Sequence, residues 1–276
     1  TAKAKNGTAS YDLAVTVTEA TGSGSFNIVG DTLVSYSGTE STVTIPDGVR
    51  VIGENAFKNN DYILNVICPD SLEEIGYRAF HDCNNLQSVS LPETLKVINE
   101  GAFYYCENLK TLGHTGDGVL PKGLTTMGAK AFYFCKALEG DLVIPEGVTS
   151  LSAGIFYNAY ALTSITIPDT VTSMDANGDQ FANCTAVTSV TLSKNLTELP
   201  KTAFFTCKSL KHLPDLSNVT SVGTSCFAGC AALEEMVIPE SLTFVGANAF
   251  ARSSLTEITV LGDPTGLDSA FYNSLN

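Results

Sequence analysis

A phrase of thirteen residues returns along this chain about every 23 residues, and this repeat constrains the fold more than any other feature. Its first copy, at residues 45–57, reads Ile-Pro-Asp-Gly-Val-Arg-Val-Ile-Gly-Glu-Asn-Ala-Phe. A fixed period of about 20–50 residues predicts a solenoid, in which each coil contacts mainly its neighbours. The phenylalanines that close the ten units are Phe57, Phe80, Phe103, Phe132, Phe156, Phe181, Phe204, Phe227, Phe250 and Phe271.

The constant residues between proline and phenylalanine indicate which side chains are buried in the core. Apolar residues stand three and six positions after the proline, as Leu95 and Ile98 do, and a polar residue never takes either slot. A charge there would be buried without a partner. The next slot is usually glycine, as in Gly53 and Gly128, or asparagine, as in Asn99. Both residue types tolerate the left-handed backbone region, so we predict a tight left-handed corner at this slot.

The residues before the proline predict a strand. In 162–168 the apolar residues Ile165 and Ile167 alternate with threonine, and Pro168 ends the pattern because proline cannot donate to a strand ladder. One short parallel strand in each of ten coils, spaced about 4.8 Å apart, would give a stack roughly 50 Å long. The Ala-Phe pair is expected to open a short helical or 3₁₀ segment on the far side of the coil.

The motif Leu-x-x-[Val/Ile]-x-[Ile/Leu]-Pro-x-x-[Leu/Val]-x-x-Ile-Gly-x-x-Ala-Phe-x-x-Cys resembles that of the BspA-like leucine-rich repeat family. The resemblance implies an α/β solenoid: a right-handed leucine-rich repeat stack with one short parallel strand per coil and short helical or 3₁₀ segments on the convex side. It also implies a location on a bacterial cell surface or in bacterial secretions, and some members resemble adhesins. The motif is scaffold, so it carries over no functional residue. Departures from it are about six extra residues within 107–120 and an early proline, Pro214.

The ends of the chain depart from the repeat. Residues 1–39 are predicted to form an N-terminal β-hairpin cap, and residues 40–276 a solenoid of about ten units. Alternation in 11–17 predicts a strand, while 26–28 and 33–36 flank Gly30-Asp31 as a hairpin would. The chain stops shortly after Phe271 with no following strand. We therefore expect a wall-binding or spacer segment beyond it in the full-length protein.

The composition of the chain argues against several classes of function. The net charge of −14 argues against nucleic acid as a partner, and no apolar run approaches the ~20 residues needed for membrane insertion. The three histidines lie in different units, without a nucleophile motif or a phosphate-binding glycine loop beside them. We expect no enzymatic activity, no catalytic residue and no cofactor.

Six of the eight cysteines stand three residues after a closing phenylalanine, a slot that also accepts alanine and serine. Such a slot is small and buried, so we predict free, packed thiols. Disulfides between Cys83, Cys106 and Cys135 remain an alternative, because adjacent coils would bring them within range. A zinc site is disfavoured because no paired Cys-x-x-Cys is present.

The best binding candidate is a strip of aromatic residues. The two residues after a closing phenylalanine are usually small or polar, but in three consecutive units they include rings. If this slot faces outward, the rings form an exposed strip that could bind a partner. The alternative is that they pack under the 107–120 insertion. The candidate binding residues are Tyr104, Tyr105, Tyr133, Phe134, Tyr157 and Tyr160.

Two weaker candidates remain. Asp175, Asn177 and Asp179 surround a glycine as oxygen ligands do in calcium loops, but the distal Glu of an EF-hand loop is missing and an ordinary Asn-Gly turn is favoured. The outward strand face carries serine and threonine that could contact a partner. We predict a non-enzymatic extracellular module for protein–protein interaction or adhesion, with a host or microbial surface protein as the partner. The alternatives are a glycan-binding module and a structural spacer that presents another domain.

Overall fold

The computed structural model describes residues 16–17, 25–113 and 120–274, which form a β-solenoid of about ten coils. Each regular coil contributes two short strands. In chain order the strands are β1 (Thr16–Val17), β2 (Phe26–Val29), β3 (Thr32–Tyr36), β4 (Thr42–Thr44), β5 (Val51–Ile52), β6 (Asn65–Ile67), β7 (Glu74–Ile75), β8 (Ser88–Ser90), β9 (Val97–Ile98), β10 (Thr111–Leu112), β11 (Thr126–Met127), β12 (Gly140–Val143), β13 (Ser150–Leu151), β14 (Leu162–Thr166), β15 (Ser173–Met174), β16 (Ser189–Thr191), β17 (Glu198–Leu199), β18 (Ser221–Val222), β19 (Glu235–Ile238), β20 (Phe244–Val245) and β21 (Glu257–Val260).

Both strands of a coil pair in parallel with the same strands of the next coil. The strand before the proline builds the sheets β4–β6–β8–β10, β12–β14–β16 and β19–β21. The second strand pairs at a one-coil offset, so that Ile52 lies opposite Ile75 and Ile75 opposite Ile98. The prediction of one strand per coil missed this second strand. A strand of two residues is too short to show the alternation by which strands are recognised in a sequence.

The helical or 3₁₀ segments predicted on the convex side are not present there; within the described residues the one 3₁₀ turn is Leu267–Ser269. Successive N–H groups point in different directions instead. The N–H of Ala56 bonds to Gly53 of its own coil, whereas the N–H of Phe57 bonds across to Ala79 of the next coil. A helix needs every N–H for its own turns, and here every second one joins two coils. The convex side is therefore a ladder of turns.

The core is a continuous column of the nine closing phenylalanines from Phe57 to Phe250, all fully buried. We call these the ladder phenylalanines, and Phe271 extends the column at its end. Rings of adjacent coils lie 4.8–5.9 Å apart between centroids and within 13° of parallel from Phe57 to Phe250. The apolar slots after the proline form a second buried column, in which only Met174 is half-buried.

The glycine slot after this apolar column is not a left-handed corner, so that prediction is wrong. Gly128 and Gly246 do not have a positive φ. A Cβ at Gly128 would lie 2.3 Å from the backbone nitrogen of Glu100, and one at Gly246 would lie 2.4 Å from that of Thr224. In these coils glycine is required because the preceding coil approaches too closely for a side chain, whereas other coils admit Asn99, Ser152, Asp175 or Pro200 in the same slot. Left-handed residues occur instead two positions before and two positions after most ladder phenylalanines.

An antiparallel hairpin precedes the first coil. Strands β2 and β3 pair around Gly30, whose φ is 64°, and β3 then pairs in parallel with β5. The rings of Phe26 and Tyr36 continue the phenylalanine column, with Tyr36 4.9 Å from Phe26 and 5.3 Å from Phe57 between centroids. Of the strand predicted over 11–17, residues 11–15 lie outside the described residues, and β1 pairs with β2. The division into a cap at 1–39 and a solenoid at 40–276 stays a prediction.

The ladder of strands that precede the proline is interrupted in the eighth coil. Among the described residues no strand occupies the stretch between β17 and β18. Pro214 stands ten residues after the ladder residue Phe204. In a regular coil this position belongs to a strand, as Ser90 of β8 does, ten residues after Phe80. Because proline has no N–H to donate, the ladder stops at β16 and restarts at β19.

Candidate functional site

Aromatic side chains form two columns on the convex surface. The first ring column contains His81, Tyr104, Tyr133 and Tyr157, each one residue after a ladder phenylalanine. The second ring column contains Tyr105 and Phe134, each two residues after one. Because the coils repeat the same backbone path, equal sequence positions stack directly over each other. The structure thus brings five of the six predicted rings together.

The rings stack on one another along the solenoid. Centroids in the first ring column lie 5.0, 5.0 and 4.6 Å apart, with Tyr104 and Tyr133 tilted by only 3°. In the second ring column Tyr105 and Phe134 lie 4.6 Å apart. All these rings are half-buried. Residues 114–119 of the insertion that was expected to cover them lie outside the described residues, so covering by that segment stays a prediction.

Stacking decides which part of each ring a partner can reach. Tyr104 lies between His81 and Tyr133, and Tyr133 lies between Tyr104 and Tyr157, so both faces of these two rings are covered. The exposed part of these half-buried rings is therefore their edges, and the side chain of Tyr104 is hydrogen-bonded to that of Tyr105. Burial raises the pKa of Tyr133 to about 12, and the neighbouring phenols add to the effect. Its hydroxyl therefore stays protonated at neutral pH and can donate a hydrogen bond.

The second ring column has an unusual backbone. Tyr105 has a φ of 61° and Phe134 a φ of 63°, in the left-handed region. All ten coils adopt this conformation at this slot, but the other coils fill it with smaller or polar residues. Bulky side chains are rarely found there because the Cβ approaches the following carbonyl oxygen. The other occupants are Asn59, Asp82, Asn158, Asn183, Thr206, Gly229, Arg252 and Asn273.

Two lysines border the ring columns. The ammonium of Lys130 lies 5.8 Å from the ring centroid of Tyr133, and that of Lys136 lies 5.5 Å from that of Phe134. Lys136 also forms an ion pair of 2.8 Å with Glu107. Two cationic groups thus lie beside the rings, and the charge of Lys136 is balanced by Glu107.

Tyr160 stands apart from both columns. Its side chain is 38% exposed, and it makes no ring contact within the described part of the chain. The sequence grouped Tyr160 with the strip because it lies close to Tyr157 along the chain. It also missed His81, which the same spacing from a ladder phenylalanine could have identified.

Residues 175–179, the weak calcium candidate, form a turn that is held by its own hydrogen bonds. The N–H of Asn177 donates to the carboxylate of Asp175 over 2.8 Å, and the side-chain amide of Gln180 donates to the carbonyl of Asp175. Gly178 and Asp179 follow in left-handed conformations. Across the described ranges, no three His, Cys, Asp or Glu side chains are arranged to hold a metal ion.

The cysteine slot has a specific hydrogen-bonding role. All eight cysteines are free and buried, as predicted. At each of the six repeat positions the thiol donates to the carbonyl of the ladder phenylalanine one coil earlier, over 3.0–3.5 Å. Ser274 makes the same bond with its hydroxyl. Burial raises the pKa of thiols such as Cys83 and Cys184 to about 12, which disfavours the reactive thiolate.

The serine and threonine row on the outward strand face is exposed or half-buried. Exposed apolar residues such as Ile67 and Val237 interrupt it, and the strand itself is missing in the eighth coil. No helix of the described chain combines the length and the hydropathy of a membrane span.

Comparisons with known proteins agree with this architecture. The model of the BspA type leucine-rich repeat region matches residues 27–159, 116–214 and 154–276. No curated protein sequence matches the chain. A leucine-rich repeat protein of T. pallidum is similar in structure, with 26% identity over 73% of this chain and 82% of that one and a TM-score of 0.55.

Two further solved structures are similar. The pneumococcal vaccine antigen PcpA has 17% identity over 96% of this chain and 87% of that one, with a TM-score of 0.54. A leucine-rich cell surface protein of Faecalibacterium prausnitzii has 23% identity over 93% of this chain and 98% of that one, with a TM-score of 0.46. The family model covers nearly the whole described solenoid. The chain therefore belongs to the BspA-type leucine-rich repeat family.

Proposed function

We propose that this chain is a non-enzymatic interaction module of a bacterial protein that is displayed on the cell surface or secreted, and that the two ring columns bind a partner protein. Membership of the BspA-type family supports the general role, since leucine-rich repeat proteins commonly present a surface to partners. The ring columns support the position of the site. The observation that carries the proposal is the left-handed backbone at Tyr105 and Phe134.

The scaffold alone gives no reason for aromatic residues in this slot. Eight other coils fill it with Asn, Asp, Thr, Arg or Gly, several of which suit the left-handed region. A bulky residue costs about 1 kcal/mol or more in this conformation. Two such costs in adjacent coils, where an asparagine would fold more easily, indicate that the rings serve a purpose other than stability.

The geometry of the rings favours a protein over a glycan as the partner of the columns. Sugars stack on the open faces of aromatic rings, and both faces of Tyr104 and Tyr133 are covered by neighbouring rings. What remains exposed is a row of ring edges with Lys130 and Lys136 beside it. Tyrosine is enriched at the hot spots of protein–protein interfaces.

The decisive experiment replaces the two strained rings by the residue that other coils use. In the double variant Tyr105→Asn/Phe134→Asn, we expect binding to immobilised host matrix proteins or microbial surface proteins to fall at least tenfold, about 1.4 kcal/mol. Stability should change by no more than about 1 kcal/mol, because lost ring contacts offset the relieved backbone.

The matched control is Arg252→Asn, which makes the same kind of replacement in the same slot of a distant coil. It should leave both binding and stability almost unchanged. Full binding by the double variant would rule out the ring columns as the site. If the wild-type chain binds no protein from either source, a spacer role is favoured. Labelling of intact cells with an antibody to this chain tests the surface location.

A further inference from the structure

A separate cleft opens beside the second ring column, around Tyr160. It is a shallow, open cleft with a volume of about 410 Å³. Three of its lining residues, Asn158, Asn183 and Thr206, continue the slot of Tyr105 and Phe134 into the next three coils. The cleft therefore begins where the rings of this slot give way to amides and hydroxyls. We call it the Tyr160 cleft; it is lined by Asn158, Tyr160, Asn183, Thr185, Thr206 and Lys208.

The wall of the Tyr160 cleft supplies an aromatic surface without a stacking partner. Tyr160 is 38% exposed, and it takes part in no ring pair among the residues that the structure describes. This distinguishes it from the other five rings of the predicted strip. A ring face that no other ring stacks on can attract the slightly positive C–H groups of a sugar ring.

The floor of the cleft supplies oriented polar groups. The side-chain amide of Asn183 donates to the Oδ1 of Asn158 over 2.7 Å, and Asn158 is only 5% exposed. This bond holds the two amides in one arrangement, so little entropy is lost when a ligand binds to them. With the hydroxyls of Thr185 and Thr206, the floor carries donors and acceptors of the kind that pair with the hydroxyls of a sugar.

The charge of the cleft indicates which class of sugar it would bind. Lys208 is the single charged residue that lines it, and its side chain is exposed. In a chain of net charge −14, this local positive charge would attract a carboxylate that most of the surface repels. We propose that the Tyr160 cleft binds an acidic saccharide residue, with the sugar ring on Tyr160, its hydroxyls on the asparagine pair and its carboxylate at Lys208.

The test measures binding of the intact chain to N-acetylneuraminic acid and glucuronic acid, with galactose as the neutral comparison, by ligand-observed NMR and titration. We expect the acidic sugars to bind more tightly than galactose. Tyr160→Ala should weaken their binding roughly tenfold, whereas Tyr160→Phe, which keeps the ring face, should stay within about threefold of the wild type. Lys208→Gln should remove the preference for the acidic sugars.

Tyr62→Ala provides the matched control, because Tyr62 is 64% exposed and lies outside the cleft. It should bind the sugars as the wild type does. Equal binding of acidic and neutral sugars, or full binding by Tyr160→Ala, would overturn the proposal. This inference is independent of protein binding by the ring columns. Tyr105→Asn/Phe134→Asn should retain sugar binding, and Tyr160→Ala should retain protein binding, so the two proposals can fail separately.

Discussion

Single residues in this solenoid are selected by what lies one coil away. Glycine at position 128 shows this clearly, since its neighbour in space is the backbone of Glu100 rather than anything close in sequence. The cysteine slot follows the same logic: its small size was visible in the sequence, but its donor role depends on a carbonyl about 26 residues earlier in most coils. The sequence showed which residue types occupy the glycine and cysteine slots. Only the structure of the stacked coils showed why those types are needed.

The substitution Gly128→Ala tests whether glycine is needed at position 128 because the neighbouring coil is close, rather than because of its backbone conformation. The added methyl would lie 2.3 Å from a backbone nitrogen, so we expect a loss of about 1–3 kcal/mol in unfolding free energy, measured by urea denaturation. Gly262→Ala is the control, because its nearest contact would be 3.1 Å and it lies at the edge of the stack. Equal costs at both sites would show that coil spacing does not select glycine.

His81 should make stability depend on pH. Burial lowers its pKa, and the charges of Arg78 and Lys58 add to this, which outweighs the attraction of Asp82. The unfolded chain therefore binds the proton more readily than the folded one, so stability is complete above about pH 6.5 and decreases as the pH falls below it. In urea unfolding at pH 7.5 and pH 5, His81→Tyr should lose less stability on acidification than the wild type.

His81→Tyr keeps the ring that stacks on Tyr104, since the following coils carry tyrosine in this slot. His212→Asn, at an exposed histidine, controls for the general effect of losing an imidazole. If His81→Tyr and the wild type lose equal stability between the two pH values, His81 does not contribute to acid sensitivity.

Individual elements in this protein are too small to be stable alone. The second strand of each coil has only two residues, and it exists because the same two residues pair on both sides. The turns on the convex side replace the expected helix because every second N–H bonds to the next coil. These short elements therefore form only through hydrogen bonds between stacked coils. Local sequence patterns predicted the longer strands, but they could not show those bonds and so failed for the helical segments.

The phenylalanine column is the element on which the stack depends most. Phe132 is fully buried between Phe103 and Phe156, with centroids 5.2 and 5.1 Å away. Phe132→Ala leaves a cavity in the middle of the stack and should cost about 3–5 kcal/mol, a large part of the total stability of a domain. Thermal unfolding should show a marked fall in Tm. Tyr62→Ala, at an exposed ring, should change it little, and an unchanged Tm for Phe132→Ala would contradict the column.

The whole molecule is a quasi-one-dimensional stack, and one of its irregularities, the 107–120 insertion, falls between coils that carry the ring columns. The ring columns occupy the coils on either side of the 107–120 insertion, and the Tyr160 cleft follows them along the convex face. Pro214 could be identified in the sequence as a break, because a proline within a strand removes a ladder bond. The Tyr160 cleft could not be identified in this way, since its residues come from three coils and are common polar types.

The buried thiols offer a test of the integrity of the whole stack. All eight cysteines are buried and free, and burial raises the pKa of several to about 12. A thiol reagent at pH 8 should therefore react with almost none of them in the native protein and with eight after denaturation without reductant. Markedly fewer after denaturation would reveal disulfides. Rapid reaction in the native protein would show that the coils open locally.

The sequence by itself determined the period, the number of coils, the phenylalanine column and the family, because each repeats at a fixed spacing and a repeated buried position admits few residue types. The tertiary structure alone decided the second strand, the turns in place of helices, the steric reason for glycine and the separation of Tyr160 from the stacked rings. These features depend on distances between coils, about 23 residues apart in the chain and about 5 Å apart in space. The repeat specifies that coils stack, while the contacts made across the stack decide what each surface residue can bind.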